Sequence, residues 1–105
     1  MEHVALPPAR ARALERIRGI VMALTDALDV RVYLFGSCAT GTLRGSSDID
    51  VAIESPCGPI PELIETLRER FEESDVPYDV DVVDLAAVSS EFAHRVRHEG
   101  ILWKG

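Results

Sequence analysis

Two aspartates two residues apart, Asp48 and Asp50, follow a Gly36-Ser37 pair after a ten-residue spacer, and this set could carry out metal-assisted phosphoryl chemistry. On an extended strand, residues i and i+2 project from one face, so the two carboxylates repel each other unless a cation sits between or beside them. Magnesium meets that demand: it prefers oxygen ligands, keeps several waters, and is usually held by one or two carboxylates together with substrate phosphates. Gly36 lets a backbone approach a phosphate, while Ser37 offers a hydroxyl and an amide at what could be a helix N-terminus. Arg44 is the only cation in the intervening loop; it could assist a leaving pyrophosphate or merely coat the surface.

A third carboxylate is expected from Asp81, which lies between Val80 and Val82, where an unpaired charge is costly unless it meets a metal or faces solvent. Two-metal sites hold their ions roughly 3.5–4 Å apart, one activating the attacking oxygen and the other neutralising the leaving phosphate. Asp81 could serve as a ligand there or accept the nucleophile's proton. Asp79 shares its face but lies nearer the strand's start, and reads as solvated. Asp84 points to the other face and reads as the cap or turn residue before the last helix.

The elements that must position these groups follow from hydrophobic periodicity. After Pro7 and Pro8, the stripe Leu14, Ile17, Val21, Leu24 and Leu28 predicts a helix with arginines and acids on its opposite side. Val30 to Phe35 reads as a buried strand ending at Gly36, and residues 36–47 are turn-rich. Asp48 to Glu54 alternates, with Ile49, Val51 and Ile53 on one face and the carboxylates on the other. Past the break at Ser55-Pro56-Cys57-Gly58-Pro59, Pro61 suits the first turn of a helix with the stripe Ile60, Leu63, Ile64, Leu67 and Phe71. Asp79 to Asp84 alternates again as a third strand. Val88, Phe92 and Val96 mark a last helix, with Gly100 as its C-cap, before a short apolar Ile101-Leu102-Trp103. The fold class is therefore α/β (α+β): a small mixed sheet covered by helices, in one domain spanning 1–105.

With 105 residues there is room for one core and no second substrate-binding domain. The net charge of -7 argues against a nucleic-acid partner, which calls for basic surface. The single lysine, Lys104, cannot belong to a phosphate-binding Gly-x-x-x-x-Gly-Lys loop. Cys38 and Cys57 lack the second pair of a zinc site, and no stretch reads as a signal peptide or membrane span; a cytoplasmic protein with reduced thiols is expected. Cys38 itself reads as a small filler. His94 and His98, at i and i+4, have a spacing that binds zinc when further ligands converge, but read first as a solvated helix face. The arginines Arg10, Arg12, Arg16 and Arg18 read as a solvated face able to meet an acidic partner. Trp103 and the first helix's stripe read as core or as a partner surface, core being favoured for the helix.

Gly36-Ser37, the spacer and Asp48-Ile49-Asp50, with Asp81 to Leu85 downstream, resemble the minimal nucleotidyltransferases of the DNA polymerase β-like superfamily over Val30 to Trp103. The chain looks most like its MNT proteins, antitoxins paired with HEPN toxins. The resemblance implies that Gly36 and Ser37 contact nucleotide phosphates, with Arg44 and Ser47 grouped beside them as nucleotide-binding residues. It also implies that Asp48 and Asp50 bind two magnesium ions and that Asp81 completes the catalytic carboxylates. AMP would pass from ATP to a hydroxyl, in these antitoxins a tyrosine of the HEPN partner, and the pairing leaves room for a homo- or hetero-oligomer.

The loop departs from the family pattern at Cys38, Ala39 and Thr40, where relatives often carry a large polar residue. That departure favours the alternative, a stoichiometric binding module that neutralises its partner without catalysis. Transfer to a small molecule is disfavoured by the lack of a second domain.

Overall fold

A computed structural model describes residues 8–35 and 49–105. Gly36, Ser37, Cys38, Arg44, Ser47 and Asp48 lie outside the described residues. The elements run α1 (Pro8–Thr25), β1 (Arg31–Phe35), β2 (Ile49–Glu54), α2 (Pro61–Glu73), β3 (Val80–Asp84), α3 (Ser90–Glu99) and β4 (Ile101–Lys104). The four strands form one mixed sheet in the order β3-β2-β1-β4. β1 pairs antiparallel with both β2 and β4, while β2 and β3 are parallel. A parallel pair needs a crossover, and α2 supplies it between β2 and β3.

Alternation along each strand sorts the side chains into two cores. Val32, Leu34, Ile49, Val51, Ile53 and Val82 face Ile17 and Val21 of α1 and Ile64, Leu67 and Phe71 of α2. On the opposite face, Tyr33, Phe35 and Ala52 meet Ala93 and Val96 of α3 together with Leu85. The sheet thus lies between α1 and α2 on one side and α3 on the other. Both interior strands are buried on both faces, which is why β2 reads as almost continuously buried from Ile49 to Ile53.

Several local devices fix these elements. The Ser89 hydroxyl caps α3 by accepting from Phe92 N at 3.1 Å, so the cap of the last helix is Ser89 and not Asp84. Asp84 is a turn residue: its Oδ1 accepts from Ala86 N at 2.9 Å and its Oδ2 from Ile60 N at 2.8 Å. The second bond ties the end of β3 to the start of α2. Leu28, expected on the first helix's stripe, lies beyond the helix end at Thr25 and is exposed. Trp103 is half-buried against the α1/α2 core.

α3 is anchored to the far end of the sheet by charge. Tyr33 Oη donates to Glu54 Oε1 at 3.1 Å, and Arg97 Nε donates to Glu54 Oε2 at 2.9 Å. The Arg97 guanidinium holds the Glu54 carboxyl below its ordinary value and is itself held up by that carboxylate. Burial, with help from Glu54, pushes the Tyr33 phenol up.

Two outcomes follow from this packing. A Cβ on Gly100 would stand 2.7 Å from Val96 O and 3.2 Å from Leu34 O, both backbone atoms that cannot swing away. Gly100→Ala should therefore cost about 1–3 kcal/mol, read as a lower urea midpoint at unchanged slope. Glu54, whose folded pKa is lowered, adds stability that is complete above the ordinary carboxyl value of 4.5 and is lost as pH falls through the lower folded value. Glu54→Gln should be less stable at pH 7 by about 1 kcal/mol or less, because the pair is partly exposed, and should lose stability less steeply on acidification below that value. Urea melts at a series of pH values read both effects.

Candidate active site

The register of the parallel pair places Asp50 of β2 directly beside Asp81 of β3. On its other side Asp50 pairs with Phe35 of β1. Neighbouring strands lie about 4.8 Å apart, and partners in register project from the same face, so two of the three predicted carboxylates stand side by side. Their surroundings differ. Asp50, in an interior strand, is 2% exposed, whereas Asp81 lies on the edge strand and is exposed. Phe35 is buried and packs edge-to-face on Phe92 of α3, with centroids 5.6 Å apart, so an aromatic wall borders the carboxylate row.

Two like charges on adjacent strands are destabilising, and burial of one raises that cost. This donor set of oxygens suits a hard divalent cation. Among the described residues no three His, Cys, Asp or Glu side chains cluster to hold a metal. Asp48, the further ligand expected from the sequence, lies outside the described residues but is covalently joined to Ile49, the first residue of β2. Phe35 and Ile49, the described residues that bound the 36–48 segment, both lie at the Asp50 end of the sheet. Gly36, Ser37, Arg44 and Ser47 belong to that segment.

The remaining sequence candidates separate from this row. Asp79 precedes β3, is exposed, and its carbonyl accepts from Ile49 N at 3.0 Å. Asp84 pairs with Ile53 on the opposite face. His94 and His98 are exposed on α3. Arg16 pairs with Asp75, both exposed, and Arg12 and Arg18 are exposed as well. The Tyr33–Glu54–Arg97 cluster was not foreseen; Glu54 continues the Asp48/Asp50 alternation, but its partners are 21 and 43 residues away.

The polymerase beta nucleotidyltransferase model matches residues 23–104, which span all four strands, α2 and α3. The chain belongs to that family. A probable protein adenylyltransferase MntA of Haemophilus influenzae is 40% identical over 70 residues, covering 66% of this chain and 60% of the relative. The match therefore spans less than two thirds of that relative's length. Among solved structures, a toxin–antitoxin complex with AMP-PNP aligns with 27% identity and a TM-score of 0.62, over 84% of this chain and 73% of that one. A mutant MntA toxin–antitoxin structure, in which two aspartates two positions apart have become glutamates, aligns with the same identity and TM-score over 85% and 73%. Among the described residues of this chain, no helix is long and apolar enough to cross a membrane.

The carboxylate row makes a direct demand on stability. In chelator at low salt, Asp81→Asn should raise stability by roughly 0.5 kcal/mol through relief of repulsion on Asp50. Added magnesium should then raise the Tm of the unsubstituted protein more than that of the variant, as measured by thermal melts with and without the ion.

Proposed function

We propose that the chain is a magnesium-dependent protein adenylyltransferase, moving AMP from ATP to a hydroxyl, a tyrosine in the favoured case, on a HEPN-type toxin that it thereby silences. The observation that carries this reading is the register pairing of buried Asp50 with exposed Asp81 on a polymerase β nucleotidyltransferase sheet. The likeness to an adenylyltransferase and to a toxin–antitoxin structure with AMP-PNP, an ATP analogue, supports the nucleotide and the partner. A cytoplasmic setting and a single catalytic domain go with it.

Asp48, Asp50 and Asp81 would hold two magnesium ions, which when bound offset the charge of the phosphates and of the carboxylates themselves. Asp50 is a fixed ligand: its backbone is hydrogen-bonded within an interior strand and its side chain is buried. Asp81 faces the side from which an acceptor can arrive and takes the proton of the attacking hydroxyl. The acceptor oxygen forms a bond to the α-phosphorus as the bond from that phosphorus to the bridging oxygen breaks, and pyrophosphate departs with the electron pair. Gly36, Ser37 and Ser47 bind the phosphates, and Arg44 meets the leaving pyrophosphate. The acceptor comes from the partner chain.

Incubation with α-labelled ATP, magnesium and the protein encoded beside it should label that protein. Asp48→Asn with Asp50→Asn should abolish transfer, and Asp81→Asn should slow it by about 10²–10⁴-fold. If no label moves, yet the double variant still binds and silences the partner, the protein is a stoichiometric antitoxin, the reading that Cys38, Ala39 and Thr40 favour.

A further inference from the structure

We infer that His94 and His98 form a surface chelate on α3 for a borderline divalent ion of the zinc class, separate from the carboxylates of β2 and β3. The two residues are one helical turn apart, both are exposed, and their rings already lie with centroids 4.1 Å apart at 72°. Neutral imidazole is a preferred ligand for zinc, nickel and copper and a poor one for magnesium, so ligand chemistry sorts the two kinds of ion between the two places. Zinc binds imidazole nitrogen at about 2.0–2.1 Å, which puts two nitrogens on a tetrahedral ion roughly 3.3 Å apart. Side chains at i and i+4 reach that spacing by torsions of their own, because both project from the same helix face.

The helix is held in place before any ion arrives. Ser89 caps its start, Ala93 and Val96 are buried on the sheet, and Arg97 is bonded to Glu54. The ordering cost that a flexible peptide would meet on chelation is therefore already met by the fold. The nearby cations do not oppose the ion, since Arg97 is paired with Glu54 and Arg95 with Glu99 at 3.7 Å. Among the described residues neither imidazole has a hydrogen bond or ion pair to lose, and no third side chain converges, so water completes the coordination.

The chain has three histidines and two cysteines, so the test uses a His3→Ala, Cys38→Ser, Cys57→Ser background to remove the other imidazole and thiol donors. Zinc chloride is titrated calorimetrically into this full-length protein at pH 7.5 in excess magnesium, with thermal melts alongside. One ion per chain should bind, and zinc at about 100 times its Kd should shift the folding equilibrium about 100-fold toward the folded chain. His94→Gln and His98→Gln, both surface changes whose folding is checked by circular dichroism, should each remove saturable binding, while Asp50→Asn retains it. Absence of binding in the background protein, survival of binding in either glutamine variant, or its loss in Asp50→Asn would overturn the assignment.

Discussion

The constraint on which the rest of this structure depends is the placement of one carboxylate inside the sheet beside a second at its edge. Asp50 has lost its water and Asp81 has not, yet they occupy the same row of adjacent strands. A carboxylate buried in that position costs desolvation that its contacts must offset. A sequence selected for stability alone would put valine there, as it does at the adjoining in-register pair Val51 and Val82. A cation sharing the row would offset that cost further, which is what the proposed magnesium chemistry calls for.

Holding two side chains in register across a parallel pair is a task for the crossover. A slip of one residue would send Asp81 to the α2 side and bring Val80 or Val82 into the row. α2 opposes that slip in three ways. Ile64, Leu67 and Phe71 interlock with Val51, Ile53 and Val82 in the core. Arg68 Nη2 donates to Val82 O at 2.8 Å, covering a carbonyl on the edge strand next to Asp81. Asp84 Oδ2 accepts from Ile60 N, so the strand's last residue is fixed to the helix's first turn. On the other side, α3 is held to β1 and β2 by Phe35–Phe92 near the carboxylates and by Tyr33–Glu54–Arg97 at the far end.

Much of this was legible in the chain because period-two alternation and helical stripes are local. Ile49 to Glu54, Val80 to Asp84, and the stripe from Ile64 to Phe71 are found within a residue or two of where their spacing puts them. β4 was not legible as a strand: Ile101 and Leu102 are both exposed, so four residues at a sheet edge show no alternation between buried and solvated positions. It follows Gly100, which is the expected C-cap of α3 and donates its N–H to Val96 O at 2.8 Å, but in an extended rather than left-handed conformation, with two backbone oxygens crowding it. The neighbours Asp50 and Asp81 could each be nominated from type and position, but their pairing is a property of parallel register, which no local pattern encodes. The exchange of Asp84 for Ser89 as the cap of α3 has the same origin, since Asp84 was already engaged by Ile60, 24 residues away.

In the proposed reading, the difference in exposure between Asp50 and Asp81 sets two chemically identical groups apart. A general base must change its protonation state during turnover and must meet the acceptor, so it belongs where water and a second protein can reach it. Asp50, which in that reading only holds metal while Asp81 also takes a proton, gains rigidity from an interior strand with both backbone edges hydrogen-bonded, at the cost of desolvation. The sheet order β3-β2-β1-β4 puts Asp81 on the edge strand and Asp50 on an interior one, which suits the proposed proton acceptor and the proposed fixed ligand respectively. With the proposed roles exchanged, the proton acceptor would be the carboxylate that is only 2% exposed, out of reach of a hydroxyl on a second protein.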